Sequence, residues 1–151
     1  QVTQVSDDWY EVLNKDKWYA KYDPHTKSFY AVRMSPKLLG KSKLILMHRV
    51  VANTPDGMKT DHKDGDTLNN LPDNLRTCTH TQNQCNRGKQ ANNTSGFKGV
   101  HQYRKKWLAQ IQVGGKGIYL GIYQTPEEAA HAYNQAVKKY HGDFAKLNEN
   151  T

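Results

Sequence analysis

The sequence has 151 residues, of which 36% are hydrophobic, and it carries a formal net charge of +8. This length suits one ordinary domain or two very small ones, and the low apolar fraction excludes a single large core. The cationic surplus favours a polyanionic partner such as nucleic acid, because each cation near a phosphate releases condensed counterions. A membrane surface is the weaker alternative, because no apolar run reaches spanning length and no basic amphipathic helix has a large apolar face.

The cysteines indicate the redox environment of the protein, and the charge distribution indicates where each kind of partner would bind. Cys78 and Cys85 are too few for a disulfide framework and are not spaced as a zinc-binding pair, so they are predicted to be packing residues in a reducing, cytoplasmic environment. Residues 1–86 carry 12 Lys and Arg against 10 Asp and Glu, whereas residues 87–151 carry 10 against 4. The second part is therefore the stronger electrostatic footprint for a nucleic acid, and the first keeps the acids that a cation site needs.

In chain order, the first predicted elements are short strands over residues 17–22 and 28–33. These N-terminal strands either support the residues that follow or contact the polyanionic partner. Residues 53–76 are dense in Asp, Asn, Gly and Pro, which is typical of turns. A short helix is predicted over residues 79–86, with Thr79 as its N-cap.

A second pattern begins after residues 86–96, which contain almost no apolar side chain and are predicted to be a domain boundary. Three strand-like runs, 99–103, 107–113 and 117–123, follow with turns of hairpin length. Thr125-Pro126-Glu127-Glu128 then predicts a helix start with a capping box. The helix has one apolar face made of Ala129, Ala132, Tyr133, Ala136, Val137 and Tyr140.

Four polar residues in the loop-rich stretch and the helix after it carry the chemistry: Asp61, His62, Asn74 and Asn83. Hydrolysis of a phosphodiester near neutral pH needs a base for the attacking water and a cation at the phosphate. Histidine suits the base because its pKa lies near neutrality, and Asp and Asn oxygens suit a hard cation such as Mg²⁺. An asparagine can also fix the tautomer of the imidazole through its other nitrogen.

Residues 44–87 resemble the HNH homing-endonuclease family, whose core is a His-Me finger of two strands and a helix around one metal. The resemblance is carried by Met47-His48-Arg49-Val50-Val51, Pro55-Asp56-Gly57, Asp61-His62-Lys63-Asp64-Gly65-Asp66, Asn69-Asn70, Asp73-Asn74-Leu75-Arg76 and Thr81-Gln82-Asn83. Asn74 follows His62 by 12 residues and Asn83 follows it by 21, as the family pattern requires.

The resemblance implies a role for each of these residues. Asp61 and Asn83 would be metal ligands, His62 the general base, and Asn74 the residue that orients His62. Asn83 stands where many relatives carry histidine, and an oxygen ligand there favours one Mg²⁺ or Mn²⁺ ion over zinc.

Taken singly, these residues have plainer explanations. An Asp-His pair in a loop is usually a solvated turn. Asp64-Gly65-Asp66 is also expected to be a turn, because the oxygen spacing and final Glu of a calcium loop are missing. His48 and Arg49 contact either a phosphate or the scaffold, and the sequence favours neither.

Residues 95–148 resemble the plant Apetala-two/ethylene-response-factor DNA-binding domain. The matching pieces are Ser95-Gly96-Phe97-Lys98-Gly99-Val100, Lys106-Trp107-Leu108-Ala109-Gln110-Ile111, Tyr119-Leu120-Gly121-Ile122-Tyr123, Thr125-Pro126-Glu127-Glu128-Ala129-Ala130, Ala132-Tyr133-Asn134 and Leu147-Asn148. That family lays a three-stranded sheet into the major groove of DNA. The residues expected to contact DNA here are Lys98, His101, Tyr103, Arg104, Lys106, Gln110, Gln112 and Tyr119.

Departures from the plant pattern limit what is carried over. The plant domains use several arginines and an outward tryptophan on this face, where the present chain has His101, Tyr103, Gln112 and Tyr119. The plant target sequence is therefore not expected for this protein, although a glutamine is able to pair with adenine. Trp107 is predicted to pack under the sheet, and the alternative for the outward face is an ordinary solvated surface.

These observations predict an α+β protein: a His-Me finger nuclease module over residues 1–86 (with its N-terminal strand region), a linker over 87–96, and over 97–151 a three-stranded antiparallel sheet packed on one helix. The predicted function is a metal-dependent DNA endonuclease of the homing or mobile-element type that nicks double-stranded DNA as a monomer, with no protein partner evident. A bacteriophage gene expressed in a bacterial host is one source that fits. The alternatives are a catalytically inactive DNA-binding regulator and an RNA-directed protein.

Overall fold

The computed structural model describes residues 1–89 and 92–149, and the chain divides into two compact units, Gln1–Asn83 and Gln84–Thr151. The division precedes the predicted linker, of which residues 90 and 91 lie outside the described part. The fold is α+β, with small antiparallel sheets and few helices, which confirms the predicted class. Within the described residues, no helix is both long and apolar enough to cross a membrane.

The first unit contains two small sheets. Its elements are α1 (Asp7–Leu13), β1 (Tyr19–Asp23), β2 (Ser28–Met34), β3 (Leu44–Leu46), α2 (Met47–Val51), β4 (Lys59–His62), β5 (Leu75–Cys78) and, across its end, α3 (His80–Cys85). Strands β1, β2 and β3 form one antiparallel sheet, and β4 and β5 form a two-stranded antiparallel sheet. The β4–β5 pair followed by α3 is the two-strand-and-helix arrangement that the sequence predicts.

A small apolar core ties these elements together. Leu13, Ala31, Met47, Val51 and Leu75 are buried in one cluster, and they come from α1, β2, α2 and β5. The two sheets of this unit therefore share a core with the N-terminal helix, because neither sheet has enough apolar surface to be stable alone. Helix α1 and strand β2 thus contribute directly to the core of this unit.

Helix α3 begins where the sequence predicts it. The Thr79 hydroxyl accepts a hydrogen bond from the backbone N–H of Gln82 at 3.2 Å, and the Gln82 side chain accepts one from the backbone N–H of Thr79 at 2.9 Å. This reciprocal capping box satisfies two amide groups that the helix leaves without partners. It fixes the start of the helix that carries Asn83.

The second unit is a three-stranded antiparallel meander on one helix. Its elements are β6 (Val100–Tyr103), β7 (Lys106–Val113), β8 (Lys116–Tyr123) and α4 (Pro126–His141). The capping box of Thr125 and Glu128 at the start of α4 is present. Four residues of the predicted apolar face are buried: Ala129, Tyr133, Ala136 and Val137. Tyr140 is 41% exposed, and Ala130 is buried in addition.

Gly99 shows how closely the helix packs on the sheet. Its φ of +75° lies in the left-handed region, and a Cβ built there would lie 2.1 Å from Cδ2 of Tyr133 and 2.7 Å from the carbonyl oxygen of Gln110. Only glycine fits both the conformation and the space. The close approach brings the ring of Tyr133, which is 3% exposed, against the start of β6.

Candidate active site

The β4–β5 pair positions the two adjacent residues with predicted chemical roles. The register places Asp61 opposite Arg76 and His62 opposite Leu75. Asp61 and His62 are each only 6% exposed, so both side chains are surrounded by protein rather than by solvent. A buried, titratable pair at the end of a strand is not a solvated turn, which removes the plainer explanation for these two residues.

The imidazole of His62 is held by Asn70. Nε2 of His62 lies 3.2 Å from Oδ1 of Asn70, and Asn70 is fully buried. The amide nitrogen of Asn70 donates to the hydroxyl of Thr3 at 2.7 Å, so the amide oxygen is the atom that faces His62. An amide oxygen only accepts hydrogen bonds, which places the hydrogen of the neutral imidazole on Nε2 and leaves the lone pair on Nδ1.

The first residues of the chain brace this asparagine. The backbone N–H of Gln4 donates to the carbonyl of Leu68 and the N–H of Asn70 donates to the carbonyl of Gln4, each at 2.9 Å. The hydroxyl of Thr3 also donates to the carbonyl of Leu68, at 2.8 Å. The N-terminal segment therefore holds the backbone of Asn70 as well as its side chain.

Asn74 is engaged with the loop between β4 and β5 rather than with His62. Its amide nitrogen donates to Oδ1 of Asp64 at 2.9 Å and to the carbonyl of Asn69 at 2.8 Å. Its amide oxygen accepts from the N–H of Asp64 at 3.1 Å. Direct contact with His62 comes from Asn70, and Asn74 fastens the loop that carries Asn70. The sequence signal for Asn70 was the Asn69-Asn70 pair, which in sequence alone is indistinguishable from a turn former.

His48 packs directly on His62. The two rings meet edge to face with their centroids 5.1 Å apart, and the centroid of the Tyr30 ring lies 5.6 Å from that of His48. Burial lowers the pKa of His48 to about 3, and the nearby His62 and Arg49 act in the same direction. His48 is therefore a neutral packing partner of His62, and its burial leaves it little access to a phosphate.

Arg49 contacts the scaffold. Its guanidinium donates to the backbone carbonyls of Met58 at 2.7 Å, Pro55 at 3.1 Å and Thr54 at 3.3 Å. These bonds fasten the turn that leads into β4. Of the two roles that the sequence left open for Arg49, these bonds favour the structural one.

The protonation of His62 is set by opposing effects. Burial lowers its pKa below the ordinary value, while the bond to Asn70 and the charges of Asp64, Asp61 and Asp66 raise it. Burial is the largest of these effects, so the imidazole is neutral at neutral pH. A neutral imidazole is the form that accepts a proton.

Asp61 is paired with an arginine that the sequence analysis did not single out. Nε and Nη2 of Arg76 lie 2.8 Å and 2.6 Å from Oδ2 of Asp61, and the two side chains are 15% and 7% exposed. The contact links the two strands, because Asp61 and Arg76 are register partners. It places one positive charge on the carboxylate that is the predicted metal ligand.

The donors fit a hard divalent cation that keeps other ligands. Asp61 offers a buried carboxylate, and Asn83 lies half-buried on α3 with an amide oxygen. No group of three or more His, Cys, Asp or Glu side chains suited to a metal occurs in the described part of the chain. Two protein oxygens are sufficient for Mg²⁺, which usually retains several waters and substrate phosphate oxygens.

In the second unit, most residues predicted to contact DNA lie on the outward face of the sheet or in its first turn. Tyr103 is 45% and Tyr119 62% exposed, and Nε2 of Gln110 lies 3.1 Å from Nε2 of His101. Arg104, Lys106 and Gln112, which are also predicted to contact DNA, are exposed. Tyr119 and Gln110 face each other across β7 and β8. The buried face carries Trp107, which packs against the core as predicted.

Lys98 has a different environment from the rest of this set. Its ammonium donates to the backbone carbonyls of Cys85 at 2.7 Å and Arg87 at 2.6 Å. Burial lowers its pKa from the usual value. These contacts tie the segment before the sheet to β6, so the charge of Lys98 is engaged within the second unit.

Both parts of the chain are similar in sequence to known proteins. Residues 46–85 match the HNH endonuclease family model. The chain is 31% identical to an HNH endonuclease of Acanthamoeba polyphaga mimivirus, over 96% of this chain and 73% of the viral protein. It is 33% identical to protein 3.8 of Escherichia phage T7, over 62% of this chain and 78% of the phage protein.

The C-terminal part is similar to plant proteins of the Apetala-two/ethylene-response-factor type. One of them, dehydration-responsive element-binding protein 2A of Arabidopsis thaliana, is 39% identical over 42% of this chain and 21% of its own length. The chain thus spans about a fifth of that plant protein. Together with the match over residues 46–85 and the two viral relatives, the buried Asp61–His62 pair on its strand hairpin leads to one conclusion: this chain belongs to the HNH endonuclease family.

Proposed function

We propose that the protein is a divalent-metal-dependent DNA endonuclease of the homing or mobile-element type, in which the first unit hydrolyses a phosphodiester bond and the second unit holds double-stranded DNA. The observation that carries the proposal is His62: it is buried and neutral, its Nε2 hydrogen is bound to Asn70, and it stands next to a buried carboxylate. Those are the properties of a general base positioned beside a cation site.

Asp61 and Asn83 would hold the cation, Mg²⁺ or Mn²⁺, through one carboxylate and one amide oxygen. When bound, a divalent cation supplies charge neutralisation at the scissile phosphate and at the departing 3′ oxygen. HNH nucleases are typically dependent on a divalent metal, which agrees with this donor set.

Nδ1 of His62 is the atom that would take a proton from the attacking water, because Nε2 already carries a hydrogen bound to Asn70. The positive charge that forms on the ring is stabilised by Asp61, Asp64 and Asp66, whose charges all favour protonated His62. Asn74 has a positioning role, since it braces the loop that carries Asn70 and Asp64.

The second unit would supply affinity and register on the DNA. Its outward face presents tyrosines and glutamines able to reach base edges, with Arg104 and Lys106 at the first turn to bind phosphates. The charge supports this division of labour, because residues 87–151 carry 10 Lys and Arg against 4 Asp and Glu.

The test is cleavage of supercoiled plasmid with Mg²⁺, with EDTA, and by the His62→Ala protein. His25→Ala is the matched control, because His25 is an exposed histidine in the turn between β1 and β2. We expect open-circular product from the parent and from His25→Ala with Mg²⁺, and none with EDTA or from His62→Ala. Cleavage by His62→Ala at the parent rate would overturn the role of His62, and linear product would indicate paired sites rather than a single nick.

A second candidate function is a DNA-binding regulator without cleavage. The observation that favours it is the ion pair between Arg76 and Asp61, since a carboxylate already neutralised by an arginine is a weaker ligand for a cation. Retained DNA binding, together with no cleavage of varied DNA in Mg²⁺ or Mn²⁺, would favour this function.

A further inference from the structure

The turn between β2 and β3 presents two leucines to solvent. Leu38 is 78% and Leu39 95% exposed. The backbone N–H groups of Leu38 and Lys41 each donate to the other residue's carbonyl, at 2.8 and 3.0 Å, so Leu39 and Gly40 form a two-residue hairpin turn. Both have positive φ, +50° and +76°, which is the backbone of a type I′ turn.

Leucine is unusual at this position for two separate reasons. A type I′ turn requires positive φ at both central residues and strongly favours Asn, Asp or Gly there. A leucine at the tip of an exposed turn also gains nothing from folding, because its apolar surface stays in water. When a sequence breaks local rules of both turn chemistry and burial, the usual reason is a function of the exposed side chain.

The charge around the tip identifies the partner. Residues 24–55 contain six Lys and Arg and no Asp or Glu, although residues 1–86 as a whole carry 12 against 10. Three of these cations, Lys37, Lys41 and Lys43, are exposed on the turn itself. An apolar tip surrounded by lysines suits a polyanion, whereas two copies of the same turn would repel each other.

We propose that Leu38 and Leu39 form a wedge that inserts between base pairs of double-stranded DNA from the minor groove, while Lys37, Lys41 and Lys43 bind the flanking phosphates. Apolar side chains inserted in this way unstack a base step and kink the duplex, and adjacent cations hold the distorted backbone. The proposal rests on the proposed function for its DNA substrate, but it does not depend on the catalytic role of His62.

The chain connection limits how far the wedge can lie from the active site. Strand β3 leads from the turn into α2, where His48 packs on His62. Nine residue steps separate Leu39 from His48, so the tip lies within roughly 30 Å of the His48 backbone even if this segment were fully extended. That distance is about one helical turn of DNA. Distortion by the wedge would therefore act on the segment of duplex that contains the scissile phosphate.

The test measures unwinding of DNA in the His62→Ala background. Nicked plasmid is resealed by ligase with increasing amounts of full-length protein, and the linking number of the closed product is read from its topoisomers. We expect the parent tip to shift the distribution in proportion to bound protein. The double variant Leu38→Ser/Leu39→Asn should lose most of the shift at equal occupancy, and its asparagine suits the type I′ turn, so the hairpin is kept.

Two further variants separate the effect of the leucines on unwinding from the effect of the lysines on binding. Val12→Ser is the matched control, because Val12 is 50% exposed on α1 beside Asp7, Asp8 and Glu11, and it should leave the shift unchanged. Replacing Lys37, Lys41 and Lys43 by Gln should reduce the salt dependence of binding, with the slope of log K against log salt falling by about 2.7 if each lysine binds one phosphate.

Several results would overturn the wedge. One is an unchanged linking-number shift with Leu38→Ser/Leu39→Asn at equal occupancy, and another is the absence of any shift with the parent tip. A parent protein that sediments as a dimer, with a monomeric leucine variant that unwinds DNA equally, would assign the tip to self-association instead. If His62→Ala still cleaves DNA, the proposed catalytic role of His62 fails. The linking-number measurement still tests the wedge, because ligase reseals the breaks.

Discussion

Asn70→Ala tests the link between the N-terminal segment and His62, the proposed catalytic base. The substitution removes the acceptor 3.2 Å from Nε2 of His62 and the donor 2.7 Å from the hydroxyl of Thr3. Leaving a buried polar group without its partner costs about 1–3 kcal/mol in the free energy of unfolding. A bond worth about 1 to 1.5 kcal/mol also biases the tautomer of His62 roughly five- to tenfold towards the form with its lone pair on Nδ1.

Loss of that bias and of the ring's orientation is expected to lower the single-turnover cleavage rate of Asn70→Ala by about a hundredfold, the lower end of what a general base contributes. DNA affinity, measured by fluorescence anisotropy, should stay near the parent value because Asn70 is fully buried. Asn14→Ala is the matched control, since Asn14 is an exposed asparagine at the end of α1. A folded Asn70→Ala protein that cleaves within a few-fold of the parent rate would refute the positioning role.

Asn70→Asp separates positioning from mere structural support. A carboxylate beside Nε2 keeps an acceptor for His62 but favours the protonated imidazole, so it raises the pKa of His62. The acid limb of the pH–rate profile should therefore move to higher pH. In the parent, burial lowers the pKa of His62, so activity should persist below pH 6.5. A variant that lowers the rate equally at every pH would mean that Asn70 only supports the fold.

Three further predictions concern the ion pair, the buried histidine and the second unit. Arg76→Ala removes the positive charge paired with the buried carboxylate of Asp61. Thermal unfolding in EDTA should therefore show a loss of up to about 3–5 kcal/mol, which Mg²⁺ partly restores. An equal loss with Mg²⁺ would contradict a cation site there. The pKa of His48 falls from 6.5 to about 3 on folding, so the unfolded chain binds the extra proton between these values. Stability is then full above pH 6.5 and falls towards pH 3 by at most about 1.4 kcal/mol per pH unit, a slope that His48→Phe should flatten in urea titrations. Gly99→Ala should destabilise the second unit by about 3 kcal/mol or more. DNA affinity should then be abolished, while hydrogen exchange in the first unit is unchanged. A variant that binds DNA normally would disprove the close packing on Tyr133.

Much of the local structure was predictable from sequence because the interactions that set it act within a few residues. The capping boxes at Thr79 and Thr125 involve partners three residues away, and both helices begin where these signals predict. Alternation along β7 likewise predicts which face is buried, since successive side chains point to opposite sides of a strand.

Side-chain partners were less predictable. Asn70 and Asn74 are both asparagines in one turn-rich stretch, and the spacing of the family pattern favours Asn74 as the partner of His62. In the fold, the turn directs Asn70 to the imidazole and Asn74 to the loop. Lys98 was predicted to contact DNA from the resemblance to the plant domain, and in the fold the segment before the sheet provides two carbonyl groups for its ammonium. The charge of a side chain indicates which groups it is able to bind, whereas the path of the backbone decides which of those groups lie within its reach.

The sequence by itself determined the α+β class, the helix starts, the strand pattern and the spacing of Asp61, His62, Asn74 and Asn83, because these depend on local propensity and residue order. Only the tertiary structure decided which groups hold His62: Thr3 meets Asn70 across 67 residues, and His48 packs on His62 from helix α2. Both contacts join residues that are far apart in the sequence and meet only because their segments share one core. Local conformational preference does not specify such partners.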